Sequence, residues 1–194
     1  MKKIVLTFLV LMLVCEAYAG GFKLMGGADL SKYNITPMIS GVESNHRLGF
    51  LAGGGLEISF APSVSLELDG LYFQKGCQVR FMGSGLENDY ALNVVSGLAL
   101  LKVSFLIGKS LYVLGGGEFS FILSHQMEGL DIKDDYDDID YGIVLGGGYE
   151  LKIAGMSFFV EGRYHYGLNN IIRDPIGDES IKTTAIVALV GIRL

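Results

Sequence analysis

The sequence has no tryptophan, only three prolines and only two cysteines among its 194 residues. Cys15 lies in a predicted leader, so Cys77 has no cysteine partner and no internal disulfide holds the mature fold. Basic residues are also scarce, with 15 against 21 acidic ones and a net charge of −6. Nucleic-acid binders carry basic patches, so we exclude a nucleic-acid partner together with a disulfide-stapled fold.

Long apolar stretches are scarce as well, and the one at residues 4–14 is only 11 residues long. A membrane-spanning helix needs about 20 apolar residues, so we expect no helix of that kind. Two lysines precede this stretch, and a small-x-small sequence at residues 17–19 follows it, which is the pattern of a secretory signal peptide. We predict a signal peptide at residues 1–19, cleaved after Ala19, and an exported domain at residues 20–194.

Glycine, in contrast, is abundant, with 28 of 194 residues against a usual share of about 7%. This excess argues against a helical bundle, because glycine weakens helices. The dominant pattern is an alternation with a period of two. In residues 47–60 the even positions are apolar or glycine and the odd ones mostly small or polar, and residues 140–153 show the same split. The pattern predicts strands with one apolar face.

Eight segments of this kind can be counted, and most are long for strands of soluble proteins. They are residues 21–33, 47–60, 64–75, 90–106, 111–125, 140–153, 156–167 and 181–194. Short turns alternate with connections of 13 to 14 residues at 34–46, 76–89, 126–139 and 168–180. The alternation predicts an all-β, antiparallel up-and-down barrel with its short turns at one end.

Two local features refine this prediction. Residues 49–58 are similar to residues 142–151, as two related half-sheets of a closed barrel would be. In the segment 90–106, Leu92 and Val94 have one parity whereas Leu101 and Val103 have the other. We therefore expect a β-bulge within this segment.

The distribution of charge indicates which face of the strands meets lipid. The apolar faces of the clear strands carry no charged residue, and a cation facing lipid at the bilayer midplane costs roughly 2 to 4 kcal/mol. The polar faces carry the charges, so we predict that these side chains form a charge network in the lumen. The predicted network consists of Lys23, Glu57, Glu67, Asp69, Glu118, Glu150, Lys152, Glu161, Arg163 and Arg193.

Residues 21–31, the triple-glycine strands, residues 164–171 and the closing strand resemble the porin-family outer-membrane β-barrel domain, the small eight-stranded group. The resemblance covers residues 20–194. It implies an eight-stranded transmembrane β-barrel in the bacterial outer membrane, in contact with lipid and inserted by the outer-membrane assembly machinery through its C-terminal strand. Leu194 departs from the family pattern, in which the last residue is aromatic.

Two further patterns offer alternative chemistry. An acidic run at residues 128–140 lacks the spacing of a calcium loop, so we predict no metal site and keep Asp134 and Asp137 as weak candidate ligands. A Ser-His pair at the outer rim is what a lipid A deacylase-like enzyme would need. His46 and His125 have serines nearby in the sequence, but neighbours in sequence do not make an aligned pair, and we predict no enzyme and no cofactor.

Eight strands enclose an interior that side chains fill. We therefore expect a monomer with a structural or interaction role through four extracellular loops, not a general diffusion pore, and the loop partner is unknown. The alternatives are a lipid-modifying enzyme of the outer leaflet and a soluble secreted barrel that binds an apolar ligand. The soluble barrel would need the reverse arrangement of faces.

Overall fold

The computed structural model describes residues 21–37, 42–81, 83, 87–105, 110–127, 130–131, 137–153, 155–172 and 179–194. The predicted signal peptide and Cys15 lie outside the described residues. Within these ranges, no helix is long and apolar enough to cross a membrane.

The described chain forms strands that close into a ring. The strands are β1 (Gly21–Thr36), β2 (Val42–Ala61), β3 (Val64–Phe81), β4 (Glu87–Phe105), β5 (Leu111–Met127), a two-residue β6 (Leu130–Asp131), β7 (Ile139–Ile153), β8 (Met156–Gly167) and β9 (Ser180–Arg193). Each long strand pairs antiparallel with the next one in the chain, β5 pairs with β7 across the short β6, and β9 returns to β1. Eight antiparallel strands therefore form a closed barrel, which confirms the predicted fold class.

The two ends of the barrel differ. β2 and β3 are joined at Pro62 and Ser63, and β7 and β8 at residues 154–155, next to the start of β1 and the end of β9. The longest connections, which are residues 168–179 between β8 and β9 and the segment 128–138 between β5 and β7, start and finish at the other end. In outer-membrane barrels the short turns face the periplasm and the longer connections face outward, so we call these the periplasmic and the outer end.

The strands extend further at the outer end than the alternation predicted. β1 continues to Thr36 and β2 already begins at Val42, while β3 continues to Phe81 and β4 begins at Glu87. The predicted connections 34–46 and 76–89 are therefore wrong in their bounds. The outward side chains of these segments, such as Gln78 and Arg80, are polar, whereas inward ones such as Cys77 and Val79 are buried and apolar. The apolar outward face that marks the strands therefore ends below this level, but the backbones pair all the same, as His46 does with Cys77.

Side chains alternate strictly between the two surfaces of the barrel wall. On β8, Phe158, Val160 and Tyr164 are 40–53% exposed on the outside, whereas Phe159 and Arg163 are buried inside. Large apolar residues of all eight long strands are exposed on the outer surface. Because exposed apolar area of this extent is favourable only against an apolar solvent, the outer surface fits the hydrocarbon of a membrane.

The prediction of a β-bulge within the fourth segment, residues 90–106, is wrong. β4 keeps one parity throughout, with Leu92, Val94 and Leu100 all buried inside. The register instead shifts on the partner strand, since Asn93 pairs with Ser124 and the next residue, Val94, pairs with Ile122. The extra residue therefore belongs to β5, where it turns the following side chains to the opposite face.

Several glycines face the lumen at positions where the backbone of the neighbouring strand lies very close. A Cβ atom on Gly27 would lie 2.1 Å from the Ala188 carbonyl oxygen, and one on Gly116 would lie 2.0 Å from that of Ala99. On the outer surface, a Cβ atom on Gly162 would meet no atom within 4 Å. The inward glycines are thus required by space, as expected for a small, tightly curved barrel.

Candidate functional site in the barrel lumen

A cluster of buried charges lies in the periplasmic half of the lumen, and Lys102 of β4 lies at its centre. Its Nζ atom is 3.0 Å from Glu57, 3.1 Å from Glu67 and 3.5 Å from Glu150. The ammonium group also lies 4.0 Å from the centre of the Tyr112 ring. One cation therefore links carboxylates from three different strands.

Lys23 and Arg163 extend this cluster across the barrel. Lys23 contacts Glu67 and lies 3.1 Å from Asp69. The Arg163 guanidinium lies 2.9 Å from Asp69 and 2.6 Å from Glu161. All of these side chains are almost completely shielded from solvent, and a buried charge is stable only when it is paired in this way.

Arg193 closes the cluster toward the periplasmic end. It donates hydrogen bonds to Glu57, at 2.6 Å, and to Glu150. Around it a polar cavity of about 200 Å³ is lined by Ser104, Lys102 and Lys152, among others. Lys152 itself is exposed. It lies one step beyond Glu150 along the inward face of β7, at the mouth of the barrel, so its predicted place within the buried network needs correction.

A second cluster lies further toward the outer end and is centred on Glu118 of β5. Lys75 donates a hydrogen bond of 2.8 Å to this carboxylate, and Nδ1 of His165 lies 2.7 Å from it. The hydroxyls of Ser96 and Ser120 donate further hydrogen bonds of 2.8 and 2.9 Å. Glu118 is thus held by four side chains on four strands.

Apolar side chains separate the two clusters. On β3, Leu71 and Phe73 lie between Asp69 of the periplasmic cluster and Lys75 of the outer cluster, and both are fully buried. The Phe73 ring packs edge-on against His165 with 5.3 Å between ring centres. In the described part of the chain, the two charge clusters are therefore separate groups divided by an apolar layer.

Near the outer end, mostly apolar side chains are buried in the lumen. The Tyr33 hydroxyl lies 3.0 Å from Nε2 of His125, and Tyr90 packs against the same imidazole. Cys77, expected in a loop, lies instead in β3 and is completely buried. Ile171, which follows β8, is also completely buried and is hydrogen-bonded to the backbone of Ile181.

Nine of the ten predicted lumen residues belong to these two clusters, whereas Lys152 lies outside them at the exposed mouth of the barrel. Two central residues, Lys75 and Lys102, were not in the predicted network. Lys75 falls at the last position of its predicted segment, and Lys102 lies in the segment whose parity was ambiguous. His165 carries the inward parity of β8, and that signal was sufficient to find it.

The candidate catalytic and metal-binding residues do not converge. Ser124 and His125 point to opposite sides of the wall, because the serine accepts a hydrogen bond from Asn93 and the histidine faces the lumen. Asp134 lies outside the described residues, and Asp137 donates its backbone N–H to the Ile171 carbonyl at 2.9 Å. Within the described ranges, no group of three or more His, Cys, Asp or Glu side chains is arranged to hold a metal ion.

Comparisons with known proteins agree with this architecture. The family of the outer membrane protein beta-barrel domain matches residues 18–173. No curated protein matches the sequence. The crystal structure of the outer membrane protein OprG from Pseudomonas aeruginosa is similar with a TM-score of 0.55 and 16% identity, over 91% of this chain and 95% of that one.

Neisserial surface protein A has a similar structure with a TM-score of 0.54 and 14% identity, over 91% of this chain and 99% of that one. At these identities the likeness shows the fold. Together with the family match over most of the sequence, it accounts for the apolar outer surface and the charged interior. The chain belongs to the family of outer membrane protein beta-barrel domains and is a protein of the bacterial outer membrane.

Proposed function

We propose that this barrel is a closed membrane anchor with an interaction role at its outer end, and that it is neither a general diffusion pore nor an enzyme. The observation that carries the proposal is the apolar layer at Leu71 and Phe73 between two paired charge clusters. An ion crossing the lumen would have to break ion pairs in both clusters and cross that layer without its hydration shell. Both steps are costly in a low-dielectric interior.

The strands that project at the outer end support the interaction role. Their described surface is polar, and ion pairs tie the strands together there: Arg80 with Glu87 links the neighbouring β3 and β4, and Arg47 of β2 reaches Asp89 of β4 across β3. Surface ion pairs contribute little to stability, so they serve mainly to fix the shape of this polar surface. A rigid barrel that presents such a surface is suited to bind a partner outside the cell.

Conductance in planar lipid bilayers tests the closed lumen. Wild-type protein is expected to give no stable open channels. The Phe73→Ala variant, which removes the fully buried ring between the clusters, should raise the frequency of ion-conducting events. Phe119→Ala on the outer surface is the matched control and should leave the conductance unchanged, because Phe119 is 44% exposed to lipid. Stable wild-type openings whose conductance scales with bulk salt would contradict the proposal.

A further inference from the structure

The outer surface of the wall carries two lysines, Lys32 and Lys182, at the outer edge of its apolar band, and no carboxylate of the described residues pairs with either. Lys32 of β1 pairs in register with Thr184 of β9, and Asn34 pairs with Lys182. The two lysines are therefore diagonal neighbours, whose Cα atoms in such a ladder lie about 7 to 8 Å apart. Neither is in ion-pair contact with an acidic side chain of the described residues.

Both lysines face away from the lumen. Ser31 and Tyr33, which flank Lys32, are buried on the inside, and so is Thr183 beside Lys182. Because side chains alternate along a strand, the lysines point outward and are half-buried among their neighbours on the wall. They consequently belong to the surface that meets lipid and headgroups, not to the charge clusters of the lumen.

The residues around the two lysines indicate how deep in the membrane the pair lies. Toward the membrane centre, the next outward residue on β1 is Leu30, and its register partner on β9 is Ile186, which follows Thr184 on the same face. Leu30 and Ile186 are 44% and 52% exposed. Tyr166 of β8 pairs in register with Thr184, the partner of Lys32, and so lies two strands from Lys32 in the same row of the sheet. Tyrosines mark the membrane–water interface in barrels of this kind, so the lysines lie where lipid headgroups begin.

We propose that Lys32 and Lys182 bind a phosphate group of lipid A in the outer leaflet, with its acyl chains against Leu30 and Ile186. Two neighbouring ammonium groups repel each other at short range, and a phosphate between them removes that repulsion and accepts hydrogen bonds from both. Asn34, the register partner of Lys182, and Tyr166, the register partner of Thr184, carry an amide and a hydroxyl that are suited to the sugar hydroxyls of such a glycolipid. This site lies on the outside of the wall and does not depend on whether the lumen conducts ions.

The test is direct binding of diphosphoryl lipid A to the detergent-solubilised full chain, measured by native mass spectrometry. Each lysine near an anionic lipid surface contributes about 1 kcal/mol, which corresponds to about a fivefold change in affinity. We therefore expect Lys32→Gln and Lys182→Gln each to weaken binding about fivefold, and the double variant about 25-fold. Lys→Arg at both positions should retain most of the affinity, because the charge is kept.

Two matched controls make the test specific. Lys152→Gln removes an exposed lysine at the periplasmic end of the same barrel and should leave lipid A binding unchanged. Dephosphorylated lipid A should bind the wild type about as weakly as the phosphorylated form binds the double variant. Correct folding of each variant is checked by the heat-dependent shift of its band on a denaturing gel, which the outward lysines should not affect.

The opposite results are equally clear. Unchanged lipid A binding by the folded double variant would overturn the proposal. Equal affinity of the wild type for inorganic phosphate and for lipid A would also overturn it, because the pair would then be a site for free anions. Equal weakening by Lys152→Gln would reduce the effect to overall charge and would refute the assignment of a site.

Discussion

Replacement of Lys102 by methionine tests the buried charge network at its centre. The Lys102 ammonium contacts Glu57, Glu67 and Glu150 at 3.0 to 3.5 Å and is only 3% exposed. Removing one partner from a buried ion pair costs about 3 to 5 kcal/mol. Each of the three carboxylates keeps at least one other cationic contact, so we expect a loss of unfolding free energy near the lower value, about 3 kcal/mol.

The assay is urea unfolding of the protein folded into lipid vesicles, followed by the heat-modifiable gel band and by far-ultraviolet circular dichroism. Lys152→Met is the matched control and should change the unfolding free energy by less than about 0.5 kcal/mol, because its side chain is exposed. The double variant Lys102→Met with Glu67→Gln removes one charge of each sign. It should be more stable than the sum of the two single changes by about 1 kcal/mol or more.

A Lys102→Met variant as stable as Lys152→Met would refute this reasoning. It would mean that water fills the periplasmic half of the lumen and screens the charges. Strict additivity of the double variant would lead to the same conclusion for the contact between Lys102 and Glu67.

The remaining predictions concern the wall. Gly27→Ala should lower the unfolding free energy by about 1 to 3 kcal/mol, because the added methyl group would overlap the Ala188 carbonyl. Gly162→Ala places its methyl group in open space. It should change the unfolding free energy by less than about 0.5 kcal/mol in the same urea titration. Equal costs for the two changes would contradict the described packing. Cys77 is completely buried in β3, so a membrane-impermeant maleimide should label it only after unfolding, and rapid labelling of the folded barrel would contradict its position.

The fold could be predicted from the sequence where the two faces of a strand meet different surroundings. In β7 and β8 one parity is apolar because it faces lipid, and the other carries Glu150, Glu161 and Arg163 because these side chains pair in the lumen. The period of two then identifies both the strand and its orientation. The exclusion of charge from the outer face is a direct consequence of the hydrocarbon.

The prediction was incomplete where this contrast disappears. β4 has leucines on both faces, since Leu98 and Leu100 pack inside while Leu101 faces outward, and its parity could not be assigned from hydropathy. Lys102 was missed for that reason. A single extra residue in β5 reverses the parity after Ile122 and turns His125 into the lumen, and no local composition marks such a bulge.

The site is less predictable than the fold for a related reason. Inward parity identifies which charges enter the lumen, but their pairing depends on the stagger between strands on opposite sides of the barrel. Lys75 and Glu118, for example, come together across strands that are not adjacent in the sheet. Only the closed ring brings them to the same height.

The absence of tryptophan allows the most direct test of the central claim, that the apolar face of each strand meets lipid and the charged face meets the lumen. Phe158 and Phe159 are consecutive residues of β8, the first 40% exposed and the second 4%. Each is replaced in turn by tryptophan, and quenching by lipids with brominated acyl chains is measured in vesicles. We predict strong quenching at position 158 and weak quenching at position 159, and equal or reversed quenching in two folded variants would contradict the arrangement.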